Sequence, residues 1–295
     1  MAETKKRKFK LGDRSDGYLI RTMDPLHRIM PYIMKRRSDA LNTFAETIAI
    51  GKAEKYCREK IRQGYTNFSI LHVILAAYIR TVAKYPAINR FVSGQKIYAR
   101  KNIEVVMSVK KEMTVDAPDT MIDVFFKPDS TALDVYNTFN EIVMDNKGET
   151  GDSSFDKLAK ILNLIPGFIL RFVVWVLDCL DYIGCLPKFL LKLSPFHGSM
   201  IITSMGSLGI KPIYHHIYDF GNLPIFISYG IKRDELFMNR EGEVRRKRVI
   251  DIKVVTDERI CDGFYFATAF KMWKKLIENP EELDLPIEEI VPDID

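Results

Sequence analysis

Cysteine and histidine are scarce in this chain of 295 residues, with four of the first and five of the second. Cys57, Cys179, Cys185 and Cys261 form no CxxC pair and keep no metal-ligand spacing with a histidine, so no metal site is expected. Reduced thiols in a cytoplasmic protein are the default for that pattern. A signal peptide is lacking, because the N-terminus is charged and has no apolar core segment. No run of about 20 uninterrupted apolar residues is present, which argues against a spanning helix. There is also no phosphate-binding glycine loop, tandem repeat or low-complexity tract.

What is present is 47% hydrophobic and 28% charged, an ordinary balance for a soluble globular protein long enough to bury a substantial core. The net charge is +5, and much of the excess sits in Lys5, Lys6, Arg7, Lys8 and Lys10. Residues 1–22 therefore read first as a basic, solvated arm, with an acidic membrane surface as the alternative contact and no nucleic acid expected as partner.

Asp24-Pro25 opens a helix, Asp24 as N-cap and Pro25 at its first position. The basic cluster Lys35-Arg36-Arg37 near its end would complement the helix dipole. Asn42–Ile50 suits a strand and Lys52–Arg62 a helix. From Asn67 to Tyr85 the periodicity predicts a helix with Ser69 as cap and Pro86 as stop. Strands are expected near Lys96–Arg100, Ile103–Lys110 and Met121–Phe126, then a helix over Thr131–Met144 and a polar connector over Asp145–Ser154. Residues 161–193 are dense in Leu, Ile and Phe but interrupted by Pro166, Gly167, Arg171, Asp178, Asp181 and Pro187. Two short amphipathic helices hinged near Gly184 and Pro187 fit this segment. Their apolar faces need cover, with burial in protein expected ahead of a peripheral membrane contact. Strands at Met200–Ser204, Pro224–Tyr229 and Val249–Val255 follow, then a helix over Phe264–Glu278 and an acidic, proline-broken tail. The order predicts a mixed α/β fold with a substantial sheet.

Several segments, in order, resemble one family. Thr256-Asp257-Glu258-Arg259-Ile260-Cys261-Asp262-Gly263 is similar to the H-x-x-x-D-G motif of the dihydrolipoyl acyltransferase catalytic domain and of chloramphenicol acetyltransferase, with Glu258 at the histidine position. Gly198–Gly206 resembles the family strand G-T-F-T-I-S-N-L-G, and Leu223–Gly230 its P-P-Q-V-A-I-L-G-V-G strand. Tyr85-Pro86-Ala87-Ile88-Asn89 resembles F-P-E-L-N, and Asn279–Leu283 resembles D-P-E-x-L. The similarity runs over about residues 24–284. It implies a chloramphenicol-acetyltransferase-like fold, a mixed sheet flanked by helices, over residues 23–285, with 161–193 as an apolar helical insertion and 286–295 as an acidic tail. It further implies trimers or higher assemblies of trimers, and a coenzyme A channel at each subunit interface, where the base of one chain faces the acyl thioester held by its neighbour. A lipoyl domain and an Ala/Pro-rich linker are not found in this chain, so membership of an oxoacid dehydrogenase complex is not expected.

By the resemblance, Glu258 stands at the base, Thr203 at the position of the serine hydroxyl that serves the tetrahedral oxyanion, and Asp262 at a carboxylate that holds the turn. Ser204 and Gly206 would line the coenzyme A site. A free carboxylate titrates some ~4 units below a thiol, so proton transfer to it is uphill unless burial intervenes. Three readings stay open: Glu258 as a tuned base, Glu258 as a relic in a non-catalytic trimer-based scaffold or cage, or another base. His215-His216, in the loop after the Thr203 strand, is the best substitute, against the alternative of a surface pair. Cys261 reads as a buried thiol rather than a nucleophile.

Overall fold

The computed structural model describes residues 7–110, 119–148, 160, 162–239 and 241–295. Part of the expected connector, 149–154, lies outside them, as do Lys5 and Lys6.

Local signals become elements where capping and periodicity agree. Asp24 caps α1 (Pro25–Ile33) by accepting from the Leu26 and His27 amides. Ser69 and His72 form a capping box at the start of α3 (Ile70–Lys84). All of α3 except Leu71 and Lys84 is buried, as an almost uniformly apolar helix must be. It packs against α2 (Gly51–Arg62), α4 (Ala132–Gly148) and α7 (Gly263–Glu278), which themselves meet strands of the main sheet. Trp273 of α7, fully buried, donates its indole N–H to the Ile74 carbonyl at 3.2 Å. A polar tip with a partner lets so large a side chain sit in the core.

The main sheet has six strands in the order β2 (Leu41–Ala49), β9 (Val244–Asp257), β8 (Ile225–Met238), β7 (Met200–Ser204), β5 (Ile103–Lys110), β6 (Asp119–Phe126). β7 runs parallel to both neighbours and the remaining pairs are antiparallel. A parallel pair needs a long crossover, and the β7–β8 connection crosses the sheet face opposite the helices. A smaller antiparallel sheet, β1 (Gly17–Leu19), β4 (Lys96–Arg100), β3 (Arg90–Ser93), lies beside it.

Two of those short strands, β1 and β3, carry no alternation that the sequence could show. β8 and β9 also extend past the expected ends, because a register shift between Tyr229 and Lys232 lets the hairpin continue beyond the core. There Arg233 pairs with Asp251 and Arg246 with Asp234 instead of burying apolar residues.

The arm is less free than its charge suggests. Arg7 and Lys10 pair with Asp295, whose carbonyl accepts from the Arg21 and Thr22 amides. The Lys35-Arg36-Arg37 cluster does not cap α1, which ends at Ile33. Arg37 turns inward and is buried.

Gly221 shows where a side chain cannot go. Its φ is +82° and an added Cβ would lie 2.1 Å from the Phe196 carbonyl oxygen. Gly221→Ala is expected to destabilise the protein by roughly 2 kcal/mol or more, read from the denaturation midpoint.

Candidate functional site

β9 ends at Asp257, and a 3-10 turn over Glu258–Ile260 leads through Cys261 to Asp262 and α7. The turn is built on a buried ion pair. Arg259 donates through Nε (2.8 Å) and Nη2 (2.7 Å) to the two oxygens of Asp257, whose side chain also accepts from the Arg259 amide. Both side chains are at least 97% buried. Arg259 Nη1 reaches the Met34 carbonyl, and the Arg37 Nε lies 3.7 Å from Asp257. The rest of Arg37 donates to the carbonyls of Tyr218, Asp219, Val92 and Gly221. Burial pushes the Arg37 guanidinium down to about 10, against the attraction of Asp257.

With Asp257 and Arg259 turned inward, Glu258 points out. Its amide donates to the Ala40 carbonyl at 2.8 Å, and the residue is exposed. Arg259 is committed to Asp257 rather than to Glu258. Asp262 is exposed and caps α7 by accepting from the Tyr265 amide at 2.9 Å. Gly263 faces open space, with nothing near an added Cβ. Cys261 is buried, and burial pushes its thiol up.

Thr203 lies elsewhere. The register aligns it with Ser228 and, across β8, with Lys253. The crossover loop covers this sheet face, where Ile217 packs on a small core with Val106, Ile201, Leu223, Phe226 and Val255. His215 stacks on Phe226 with ring centroids 4.3 Å apart and 12° between planes. It is half-buried, and burial first, then His216, lowers its proton affinity. His216 is exposed with its ring edge-on to Tyr218. The adjacent histidines are thus a split pair, one stacked on Phe226 and the other edge-on to Tyr218. Ser204 accepts from the Ser207 amide at 3.3 Å. Gly206 passes so close to β8 that a Cβ would lie 2.5 Å from the Gly230 carbonyl oxygen, which accounts for glycine there.

Glu258 and Thr203 sit at opposite ends of this arrangement. Glu258 lies beyond the Thr256–Ile225 pair, whereas Thr203 is level with Ser228, two strands away. At about 3.3 Å per residue and about 4.8 Å per strand, they are on the order of 20 Å apart. One subunit therefore does not bring Glu258 and Thr203 together.

Two groups on the same sheet face carried no sequence signal. The Glu104 carboxyl is pushed up to about 8, by burial and by Asp123 and Asp16, with Arg100 opposing. Asp123 is pushed up to about 7 by burial. A buried Oε1 of Glu104 and a buried Oδ1 of Asp123 have no hydrogen-bond partner. Both protonated forms are favoured in the fold, so stability falls as pH rises from about 4.5 towards 8. Glu104→Gln is expected to flatten that decline, on the order of a few kcal/mol, in urea melts at pH 5 and pH 8. Among the described residues, no group of three or more His, Cys, Asp or Glu could hold a metal ion.

Residues 190–285 match the family model of the 2-oxoacid dehydrogenase acyltransferase catalytic domain. That stretch contains β7, the crossover loop, β8, β9 and the motif turn. No curated protein sequence matches the chain at a significant level. A probable dihydrolipoamide acetyltransferase from Listeria monocytogenes superposes with a TM-score of 0.56 at 11% identity, covering 92% of this chain and 99% of that one. A dihydrolipoamide acetyltransferase of Azotobacter vinelandii, in whose catalytic mechanism a serine, a histidine and an asparagine have a role, gives 0.55 at 12% identity, with 90% and 94% covered. Chloramphenicol acetyltransferase gives 0.53 at 11% identity, with 89% and 98% covered. The fold is thus the chloramphenicol-acetyltransferase-like one, a mixed sheet flanked by helices, and the chain resembles the 2-oxoacid dehydrogenase acyltransferase catalytic core.

Proposed function

We propose that this protein binds acyl-coenzyme A thioesters at a site shared between two subunits of a trimer, with slow acyl transfer that Glu258 limits. The separation of Glu258 from Thr203 carries this reading. Each stands at a family motif position, yet they are too far apart for one chain to use both, so a neighbour must supply one of them. In the Azotobacter enzyme the histidine and asparagine are four residues apart, the spacing of Glu258 and Asp262.

The chemistry needs a base for the attacking thiol or hydroxyl and a donor for the tetrahedral oxyanion. Thr203 supplies a hydroxyl, with its extra methyl restricting the rotamer. Ser204, at the end of β7, and Gly206, in the tight turn after it, would border the bound thioester. Glu258 is exposed in its own chain, and a neighbouring subunit laid against the motif turn would bury it. His215 lies on the Thr203 face, but its stacking on Phe226 fixes the ring, so Glu258 remains the base position. A non-catalytic trimer or larger cage is the second reading, favoured by the replacement of an imidazole by a carboxylate at that position.

Light scattering and binding of acetyl-coenzyme A by calorimetry test the proposal. A trimer that binds the thioester is expected, and Thr203→Val should weaken transfer more than binding. A monomer, or a trimer that binds no acyl thioester, would overturn it.

A further inference from the structure

The helices of the apolar insertion, α5 (Gly167–Tyr182) and α6 (Lys188–Leu193), break at Gly184, whose φ is +76°. Burial of their faces against the same chain is not what the structure shows. In α5 the only buried residue is Asp181, whereas Phe168 is 78% exposed, and Phe172 and Trp175 are 60% exposed. Phe168, Phe172 and Trp175 recur at helical spacing, so they share one face, and the rings of Phe172 and Trp175 touch.

The helix pair is held firmly at one end. Arg14, itself buried, donates to the Asp181 side chain at 2.6 Å, and His197 lies 3.5 Å from the same carboxylate. Ser93 donates to the Asp181 carbonyl. A buried charged anchor therefore holds out an apolar surface that its own chain leaves uncovered.

The surroundings of that surface say what covers it. On α6, Phe189 is 62% exposed between the exposed Lys188 and Lys192. The N-terminal arm meets α6 here, because Ser15 and Asp16 line one hollow with Lys188, Leu191 and Lys192. The arm adds exposed Phe9 and Leu11, with Lys8 beside them and the Lys101 ammonium 5.5 Å from the Phe9 ring. Arg171 is exposed on α5, where Asp178 is the only exposed acid. Asp181 is neutralised by Arg14.

Exposed aromatic side chains on α5 and α6, with exposed Lys188 and Lys192 on α6 and Lys8 on the arm, are the composition of a surface that lies in an anionic lipid interface. A second copy of the same face would bring like charges together. Among the described residues no helix is long and apolar enough to cross a membrane. At about 1.5 Å per residue, α5 is about 24 Å long, suited to lying in the interface plane.

We propose that the α5–α6 insertion and the adjoining basic arm dock this protein on an anionic membrane surface, with Phe168, Phe172, Trp175 and Phe189 entering the headgroup boundary. This goes beyond the acyl-thioester reading and does not depend on it.

The test is flotation of the full chain with phosphatidylcholine vesicles and with phosphatidylcholine–phosphatidylserine vesicles of about 7:3 composition. Wild type is expected to float with the anionic vesicles and much less with the neutral ones. Two lysines near the surface contribute together about 30-fold in partitioning, the loss expected for K188A/K192A. F172E/W175E, on an exposed face that leaves the fold intact, should abolish flotation. Trp273 is 1% exposed and Trp175 is 60% exposed, so a blue shift of emission on adding anionic vesicles reports Trp175 entering the interface. No flotation with either vesicle would overturn the proposal, as would equal flotation with both. Self-association of wild type that F172E/W175E dissolves, without vesicle binding, would assign the face to a second copy instead.

Discussion

Glu258→His is expected to raise acyl transfer from acetyl-coenzyme A to a thiol by roughly 10²–10⁴-fold, the usual contribution of a well-placed general base. The side chain already projects outward from a turn whose backbone is fixed by the Ala40 carbonyl and by the Asp257–Arg259 pair. An imidazole there would have a proton affinity close to the working pH, which a free carboxylate lacks. Release of coenzyme A thiol, followed in wild type, Glu258→His and Glu258→Gln, separates the readings. If wild type turns over and Glu258→Gln abolishes it, Glu258 is a working base and the scaffold reading fails. If only Glu258→His turns over, the fold is competent and the native chain lacks its base. A Glu258→His protein that binds the thioester as a trimer yet stays inert would remove the acyl-transfer reading.

The largest effect on stability is expected at Asp257. Its carboxylate neutralises Arg259 through two hydrogen bonds and lies 3.7 Å from Arg37, all three groups being buried. Asp257→Ala would leave two guanidiniums without their anion, at a cost of about 3–5 kcal/mol. Arg259→Ala should cost less, because Arg37 remains to pair with Asp257. The double variant should be more stable than the sum of the single losses predicts, since each single change strands the other's partner. Urea denaturation of the four proteins checks this, provided the slope with denaturant is unchanged. Equal losses for Asp257→Ala and Asp257→Asn would show that the carboxylate charge, rather than packing, sets the cost.

Much of the helical and strand framework was legible because local rules and the final fold agree. The Asp24 and Ser69 caps, the apolar α3 and the Phe266–Phe270–Trp273–Ile277 face of α7 each state their own environment. The turn before α7 was expected through resemblance, which rests on the spacing from Glu258 to Asp262-Gly263. Arg37 was misread because a basic cluster after a helix ordinarily serves the dipole, and only the buried Asp257 explains a guanidinium turned inward. The two helices of the 161–193 segment were located by their apolar spacing, but the same chain does not bury their faces. Periodicity shows that a face is apolar, not whether anything lies against it.

By itself the sequence determined most of the helices and the cores of the main-sheet strands, and the resemblance put Glu258, Thr203 and Asp262 at family motif positions. Only the tertiary structure decided that Glu258 is exposed while its two neighbours in sequence are buried together, and that Thr203 lies two strands away. It alone placed Glu104 and Asp123 in low-dielectric surroundings and left the aromatic face of α5 uncovered. The physical reason is that capping and periodicity depend on residues a few positions apart, which the sequence displays directly. Burial of a charge, and the distance between two groups, depend on segments brought together from anywhere in the chain.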